Sequence, residues 1–278
     1  MVRASSDTPM VLIQPEHGIA ALKLADLWAY RELLYFLAWR DVKIRYKQSI
    51  LGPAWAIVQP VCTMVVFSIF FGKLGKIPSD GVPYPIFAYV ALLPWQLFSQ
   101  SLNLSSQSVV GGAGLITKVY FPRLIIPLSS VLASLVDFVI AFGILLILMF
   151  YYGIVPTWGV LLLPGFILMA IFAALGVGVW LAVINVKYRD VRYALPFFTQ
   201  FWLFVSPVAY PSSMVPAKWQ WLYGLNPMAG VIEGFRWALL GTRPPLVTIY
   251  IAVILVAVLF VGGIYYFRSA EKMFADVI

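Results

Sequence analysis

Five polar side chains share one helical face in the stretch YPIFAYVALLPWQLFSQSLNLSSQS. Gln96, Ser99, Gln100, Asn103 and Gln107 stand at i, i+3, i+4, i+7 and i+11. Covalent chemistry would need a nucleophile with a base, clustered carboxylates or a metal beside them; amides and hydroxyls alone exchange hydrogen bonds. An amide facing lipid is costly, so this face is expected to turn toward another helix or toward a water-filled path, and both readings are open. Covalent chemistry has few candidates. The single histidine, His17, lies in a polar N-terminal stretch, and the single cysteine, Cys62, sits in an apolar run and reads as a small buried hydrophobe. One cysteine excludes an intramolecular disulfide, and one His with one Cys makes no zinc site. The one acid deep in an apolar run is Asp137, in SSVLASLVDFVIAF. It reads either as a packing residue bonded to a Ser or Thr on a neighbouring helix, or as a proton relay. FFGKLGKI and GGAGLITK lack the G-x-x-x-x-G-K-[ST] arrangement that surrounds phosphates, so no ATP site is expected in this chain.

The elements that must position these groups are long apolar segments. Hydrophobic residues are 62% of the chain and charged ones 11%, against roughly 45 to 50% and about 25% in a soluble domain. A spanning helix needs about 20 apolar residues, while barrel strands alternate in short segments. The runs here are long and unalternating, which predicts an all-α integral membrane protein. Six transmembrane helices are expected near 54–72, 84–106, 124–150, 158–184, 194–210 and 246–267. Pro9, Pro15 and Glu16 interrupt any signal-peptide core, so residues 1–27 are expected to form a cytoplasmic tail. Fourteen Lys and Arg fall on the side of both termini and five on the other, which predicts both termini in the cytoplasm. Membrane insertion alone produces such a bias, so the net charge of +8 implies no nucleic-acid partner.

Residues 28–53 begin with aromatic and aliphatic side chains and end with Arg40, Lys43, Arg45 and Lys47 before a Gly52-Pro53 break. That pattern predicts an amphipathic interfacial helix on anionic lipid. The aromatic clusters FFTQFWLF and WAIVQPVCTMVVFSIFF read either as packing and belt residues or as the wall of a path. On the second reading Trp55, Gln59, Phe67, Phe70, Gln200 and Trp202 join Gln96, Gln100 and Asn103 around a translocating glycan. Sugar rings present an apolar C–H face and a hydroxyl rim, which suit flat rings with amides between them. Pro94 is expected to kink the second span, and Ala170, Ala174 and Gly178 form a small-xxx-small packing face. Pro211, Pro216, Pro227, Pro244 and Pro245 cut the segment between the last two spans. Asn226 can cap a helix that starts at Pro227 and stops at Gly241. At about 22 Å it is shorter than the roughly 30 Å core, so it is expected to dip in and return. Glu233 and Arg236, at i and i+3, are expected to neutralise each other near the lipid.

YKQSILGPAWAIVQP, LITKVYFPRLIIPL, NVKYRDVRYALPFFTQFWLFVSPVAYP and LNPMAGVIEGFRWALLG follow one another between about residues 30 and 270. Together they resemble the membrane subunit of the ABC-2 type exporters. Within these the chain is most similar to the branch that moves O-antigen, capsular or teichoic-acid polysaccharide. The resemblance implies an ABC-2 transmembrane domain over 54–267 and a cytoplasmic tail over 268–278. It also implies a homodimer around a channel in the bacterial inner membrane. Two copies of a separate ATPase would bind ATP and Mg, so this chain would be a transport subunit and no enzyme. Its cargo would be a lipid-linked polysaccharide, O-antigen foremost. Lys118, Phe121, Pro122 and Arg123 match the coupling helix for the ATPase, within 111–123, and Lys187, Arg189 and Asp190 match a second cytoplasmic loop. Pro122 and Arg123 could equally just start the third span, and Arg189 with Asp190 could be a surface pair. The segment 212–241, with Asn226, Pro227, Glu233 and Arg236, takes the place of the re-entrant helices that close the external end. The bland alternative is a pair that only stabilises a helix hairpin. An ABC-2 exporter of drugs or lipids, and an ion-coupled carrier that works without an ATPase, stay open as other readings.

Overall fold

The computed structural model describes residues 24–277 apart from 48, 50 and 243–245. The expected tail 1–27 therefore lies outside the described residues except for its last four, and so does His17. Among the described residues all regular structure is helical: α1 Leu24–Ala29, α2 Arg31–Tyr46, α3 Trp55–Phe67, α4 Tyr84–Gly111, α5 Ala113–Ile116, α6 Ile125–Tyr152, α7 Leu163–Lys187, α8 Val191–Val205, α9 Gln220–Tyr223, α10 Pro227–Leu240 and α11 Leu246–Val277. A 3-10 turn, Gly52–Ala54, leads into α3, and a π-helical stretch, Ser68–Leu74, prolongs it.

Among the described residues four segments are long and apolar enough to cross a membrane: Gly52–Leu74, Ile125–Tyr152, Trp158–Lys187 and Leu246–Glu271. They coincide with four of the six expected spans. The helix expected near 84–106 is α4, about 42 Å long and continuous through Pro94, but its polar stripe dilutes its hydropathy. Its first half is enclosed, with Ile86 to Leu93 almost wholly buried. The span expected over 194–210 is shorter than anticipated. α8 stops at Val205, and its 15 residues reach about 22 Å. Ser206 adopts ψ 152°, the extended backbone that a following proline, here Pro207, imposes.

Helix packing follows the small residues. α4 lies against α6 and α7, α7 against α11, and α10 is wedged among α4, α7 and α11. At Gly178 a Cβ would come within 2.6 Å of Ser105 Oγ on α4, and at Gly263 one would meet Gly176 O of α7 at 2.4 Å. The expected small-residue face is thus used, with Ala170 and Ala174 fully buried on it. Within residues 28–53 the main helix is α2, which rests on α6. Leu37 and Val42 are its buried residues, while Tyr35, Phe36 and Trp39 are exposed. The Gly52-Pro53 break is real: Gly52 has φ +50°, open to glycine and strained for other residues.

Among the described residues there are two apolar clusters. The larger runs through α4, α6, α7 and α10. The second joins Leu37 of α2, Phe121 of the loop before α6, Val183 of α7, and Phe267 and Phe274 of α11. It gathers the ends of several helices into one body.

Candidate functional site

The polar face of α4 opens on a cavity of about 460 Å³ bounded by α2, α3 and α6. Gln96, Ser99, Gln100 and Asn103 line it from α4. Gln107, one turn further along, lines a second cavity of about 360 Å³. The stripe therefore faces open space along most of its length, and one member also bonds across to a neighbouring helix. Gln100 Nε2 donates to Asp137 Oδ2 of α6 at 2.7 Å.

Asp137 is the centre of a cluster. Besides Gln100, its carboxylate accepts from the Arg45 guanidinium and the Tyr46 hydroxyl, both at the end of α2. The partners are a guanidinium, a phenol and an amide, where sequence reasoning expected a Ser or Thr. Burial, and then the bond to Asp137, push the Tyr46 hydroxyl above its ordinary pKa. Arg45 and Asp137 are 92 residues apart in sequence, so helical periodicity carries no trace of their meeting. The one available signal was a lone acid deep in a span, which demands partners from somewhere.

Of the residues expected along a glycan path, five come together here. Trp55 and Gln59 line the cavity from α3, opposite Gln96, Gln100 and Asn103. Trp55 is 54% exposed, so its ring is available. The other four lie elsewhere. Phe67 is buried in the main cluster, edge-on to Phe71 at 5.1 Å. Phe70 is exposed outside the cavity wall, and Gln200 is exposed on α8. Trp202 packs edge-on to Phe98 and donates from Nε1 to Asn226 Oδ1 at 3.0 Å.

A second polar centre surrounds α10. Asn226 caps the helix as expected, Oδ1 accepting from Met228 N at 3.0 Å, and Pro227 is the first helical residue. Asn226 also donates from Nδ2 to Ser206 Oγ at 2.9 Å. The helix ends at Gly241 in the left-handed region, φ +72°. Glu233 and Arg236 pair at 3.1 Å, with Arg236 only 1% exposed. This pair is enclosed by protein, where the sequence suggested a position near lipid. The turn after α8 supplies the reason, because its carbonyls lack helical partners. Arg236 donates to Val208 O at 3.0 Å and Tyr210 O at 3.2 Å, and Glu233 accepts from Ser212 N at 3.4 Å. Tyr84 OH donates to Ala209 O at 2.6 Å, and Ser213 Oγ to Asp80 Oδ1 at 3.0 Å. The segment 206–213 is thus pinned by α10, by the start of α4 and by the loop before it.

The residues matched to ATPase coupling divide into anchors and exposed groups. Phe121 is buried in the second apolar cluster. Pro122 O accepts from Ile125 N at 3.0 Å and begins the turn into α6. Arg123 ties this loop to α11: its N–H donates to Glu271 Oε1 at 3.2 Å and its guanidinium donates to Glu271 O. Lys118, Lys187, Arg189 and Asp190 are exposed, together with Tyr120 and Tyr188. The expected coupling helix over 111–123 is reduced to the single turn α5, followed by non-helical chain.

Comparison with known sequences bears on all three regions. The profile of the ABC-2 type transporter family matches residues 32–240. The chain belongs to that family. An O-antigen export system permease protein, RfbA, from Myxococcus xanthus is 33% identical over 214 residues, which are 76% of this chain and 81% of the relative. RfbA of Klebsiella pneumoniae is 28% identical over 253 residues, 89% of this chain and 95% of that one. The polysialic acid transport protein KpsM of Escherichia coli is 24% identical over 251 residues, 84% and 92% of the two chains. The ABC-2 match takes in α2 through α10 and so contains both the Asp137 cluster and the Arg236 centre. With its several apolar helices, this ABC-2 protein is a multi-pass membrane protein.

Proposed function

We propose that this ABC-2 chain is the membrane subunit of an exporter that carries a lipid-linked polysaccharide, O-antigen foremost, across the bacterial inner membrane. The observation that carries the reading is the cavity on α4, where the Trp55 ring and the amides of Gln59, Gln96, Gln100 and Asn103 meet inside an apolar bundle. A hydroxyl-rich chain finds hydrogen bonds there that lipid cannot offer, and a flat ring on which its C–H faces slide. The relatives' names, O-antigen export and polysialic acid transport, support the same cargo class. The three donors on Asp137 account for this acid as a structural centre, which weakens the ion-coupled alternative.

In this reading six helices pass the membrane, with both termini in the cytoplasm. α4 and α8 complete the four strongly apolar spans. α4 is long enough, and its polar stripe is sheltered from lipid by α2, α3 and α6. α8 crosses together with the turn that follows it. The chain works as a homodimer with two copies of a separate ATPase that binds ATP and Mg. Lys118, Lys187, Arg189 and Asp190 form the exposed docking face for that ATPase. Phe121 and Arg123 carry its movement into α2, α7 and α11 through the second apolar cluster. α10, re-entrant from the outer side, closes the external end, with Glu233 and Arg236 holding it shut.

The test is a strain lacking this chain. Loss of surface polysaccharide with lipid-linked glycan retained inside is the expected result. Unchanged surface glycan without internal accumulation overturns the assignment.

A further inference from the structure

The two cavities along α4 have two residues in common, Arg45 and Leu104. On one side of Leu104 the stripe presents Gln100 and Asn103 to the larger space, and on the other it presents Gln107 to the smaller. Arg45 reaches across this border to Asp137 on α6. The ion pair therefore stands as a partition on what is otherwise one polar track.

Three features bear on whether this partition is fixed. First, it is within reach of a ligand, since the side chains of Arg45 and Asp137 are 23% and 13% exposed. Second, Asp137 does not depend on Arg45 alone. Without the guanidinium it keeps the Tyr46 hydroxyl and the Gln100 amide, so the carboxylate is not orphaned. Removing one member of a buried pair is ordinarily severe because the other is left without partners; here the remaining donors moderate that cost. Third, among the described residues Arg45 donates to Asp137 from Nη1 only. The rest of its planar fork stays available, and that fork matches phosphate oxygens in bidentate fashion.

Arg45 sits in the last turn of α2, beyond Leu37 and Val42, the buried residues that pack the helix. The chain leaves the helix at Lys47, with ψ 134°, and turns again at Gly52. The polar contacts of Arg45 and Tyr46 with Asp137 join this last turn to α6.

We propose that the Arg45–Asp137 pair is a displaceable bolt across the polar track, drawn when a phosphate group takes the Arg45 guanidinium from Asp137 and frees the end of α2. This deepens the export reading and rests on it for the cargo, whose lipid carrier would supply a phosphate or diphosphate. A bilayer phospholipid headgroup offers the same chemistry. Arg40, which lines the smaller cavity and pairs with Asp41 at 2.9 Å, provides a second cation on the approach.

The experiment measures the distance between α2 and α6 in the full chain. Cys62→Ala removes the native thiol, and spin labels on Phe36→Cys and Leu146→Cys, both exposed positions, report the separation by pulsed electron resonance in nanodiscs. The lipids are neutral phosphatidylcholine alone, with phosphatidylglycerol, or with a polyprenyl diphosphate. With labelled chains diluted in unlabelled ones, so that the homodimer adds no distance between protomers, one distance is expected in neutral lipid, and a second, longer one with diphosphate. Arg45→Gln and Asp137→Asn should each give the longer distance in neutral lipid. Arg45→Lys keeps the bolt but offers a point charge in place of a fork, so it should close normally and need several-fold more diphosphate to open. A response to diphosphate alone assigns the phosphate to the cargo, and an equal response to phosphatidylglycerol assigns it to the bilayer; both support the bolt. A wild-type distance unchanged in every lipid, or one unmoved by Arg45→Gln, overturns it. Unaltered surface glycan in the deletion strain would sink the export reading while leaving this distance measurement intact.

Discussion

Arg236 lies over the face of Phe87, its guanidinium carbon 3.6 Å from the ring centroid, while its terminal nitrogens hold Glu233 and two carbonyls of the turn after α8. One side chain thereby joins α10, α4 and the segment 206–210. Arg236→Ala should leave Glu233 buried without its partner and destabilise the protein by about 3 to 5 kcal/mol. Thermal unfolding in detergent reads this. The double variant Glu233→Gln/Arg236→Gln should cost less than the sum of its singles, because neither charge is then stranded. A double variant that exports normally would remove the gating role of the pair and leave its stabilising role.

Asn226 serves three partners: Met228 N, Trp202 Nε1 and Ser206 Oγ. Loss of an N-cap alone costs about 1 kcal/mol. Asn226→Ala should exceed that figure, since the indole N–H and the serine hydroxyl lose their partner too. Asn226→Asp retains the acceptor for Met228 and Trp202, and a melting temperature closer to wild type is expected.

On the polar track, Gln59→Leu and Gln96→Leu keep side-chain volume and remove hydrogen bonds to cargo. Each should lower export by about threefold to tenfold, the equivalent of one hydrogen bond, with little change in stability. Gln200→Leu, on the exposed side of α8, should leave export unchanged. Quantifying surface polysaccharide in complemented deletion strains separates these outcomes.

Close helix approach makes the glycines unequal. A Cβ at Gly176 would lie 2.8 Å from backbone atoms of Leu259 and Phe260, which cannot swing aside. Gly176→Ala should cost about 1 to 3 kcal/mol through overpacking. Gly165, in the same helix, has nothing within 4 Å of such a Cβ. Gly165→Ala should be neutral or stabilising by up to about 1 kcal/mol. Melting curves of the two variants test the contrast.

What could be read ahead of the structure was local. Asn226, Pro227 and Gly241 mark the ends of α10 because capping involves neighbours in sequence, and Glu233 finds Arg236 because i and i+3 share a face. The stripe on α4 was legible for the same reason. What escaped was long-range. Tyr46 and Arg45 reach Asp137 across more than 90 residues, and no periodicity records that. For Phe67 and Trp202 residue type alone leaves packing and path both open, because it does not tell a ring in a wall from one in a core. α8 ends early because Pro207 interrupts an apolar run that hydropathy averages over.

α4 carries Phe87 beneath Arg236 and Gln100 beside Asp137, 13 residues apart on one uninterrupted helix, about 20 Å along its axis. The two ion pairs are thus mounted on a common shaft. Any screw or slide of that shaft moves the seat of both together, so neither end of the bundle keeps its register while the other changes.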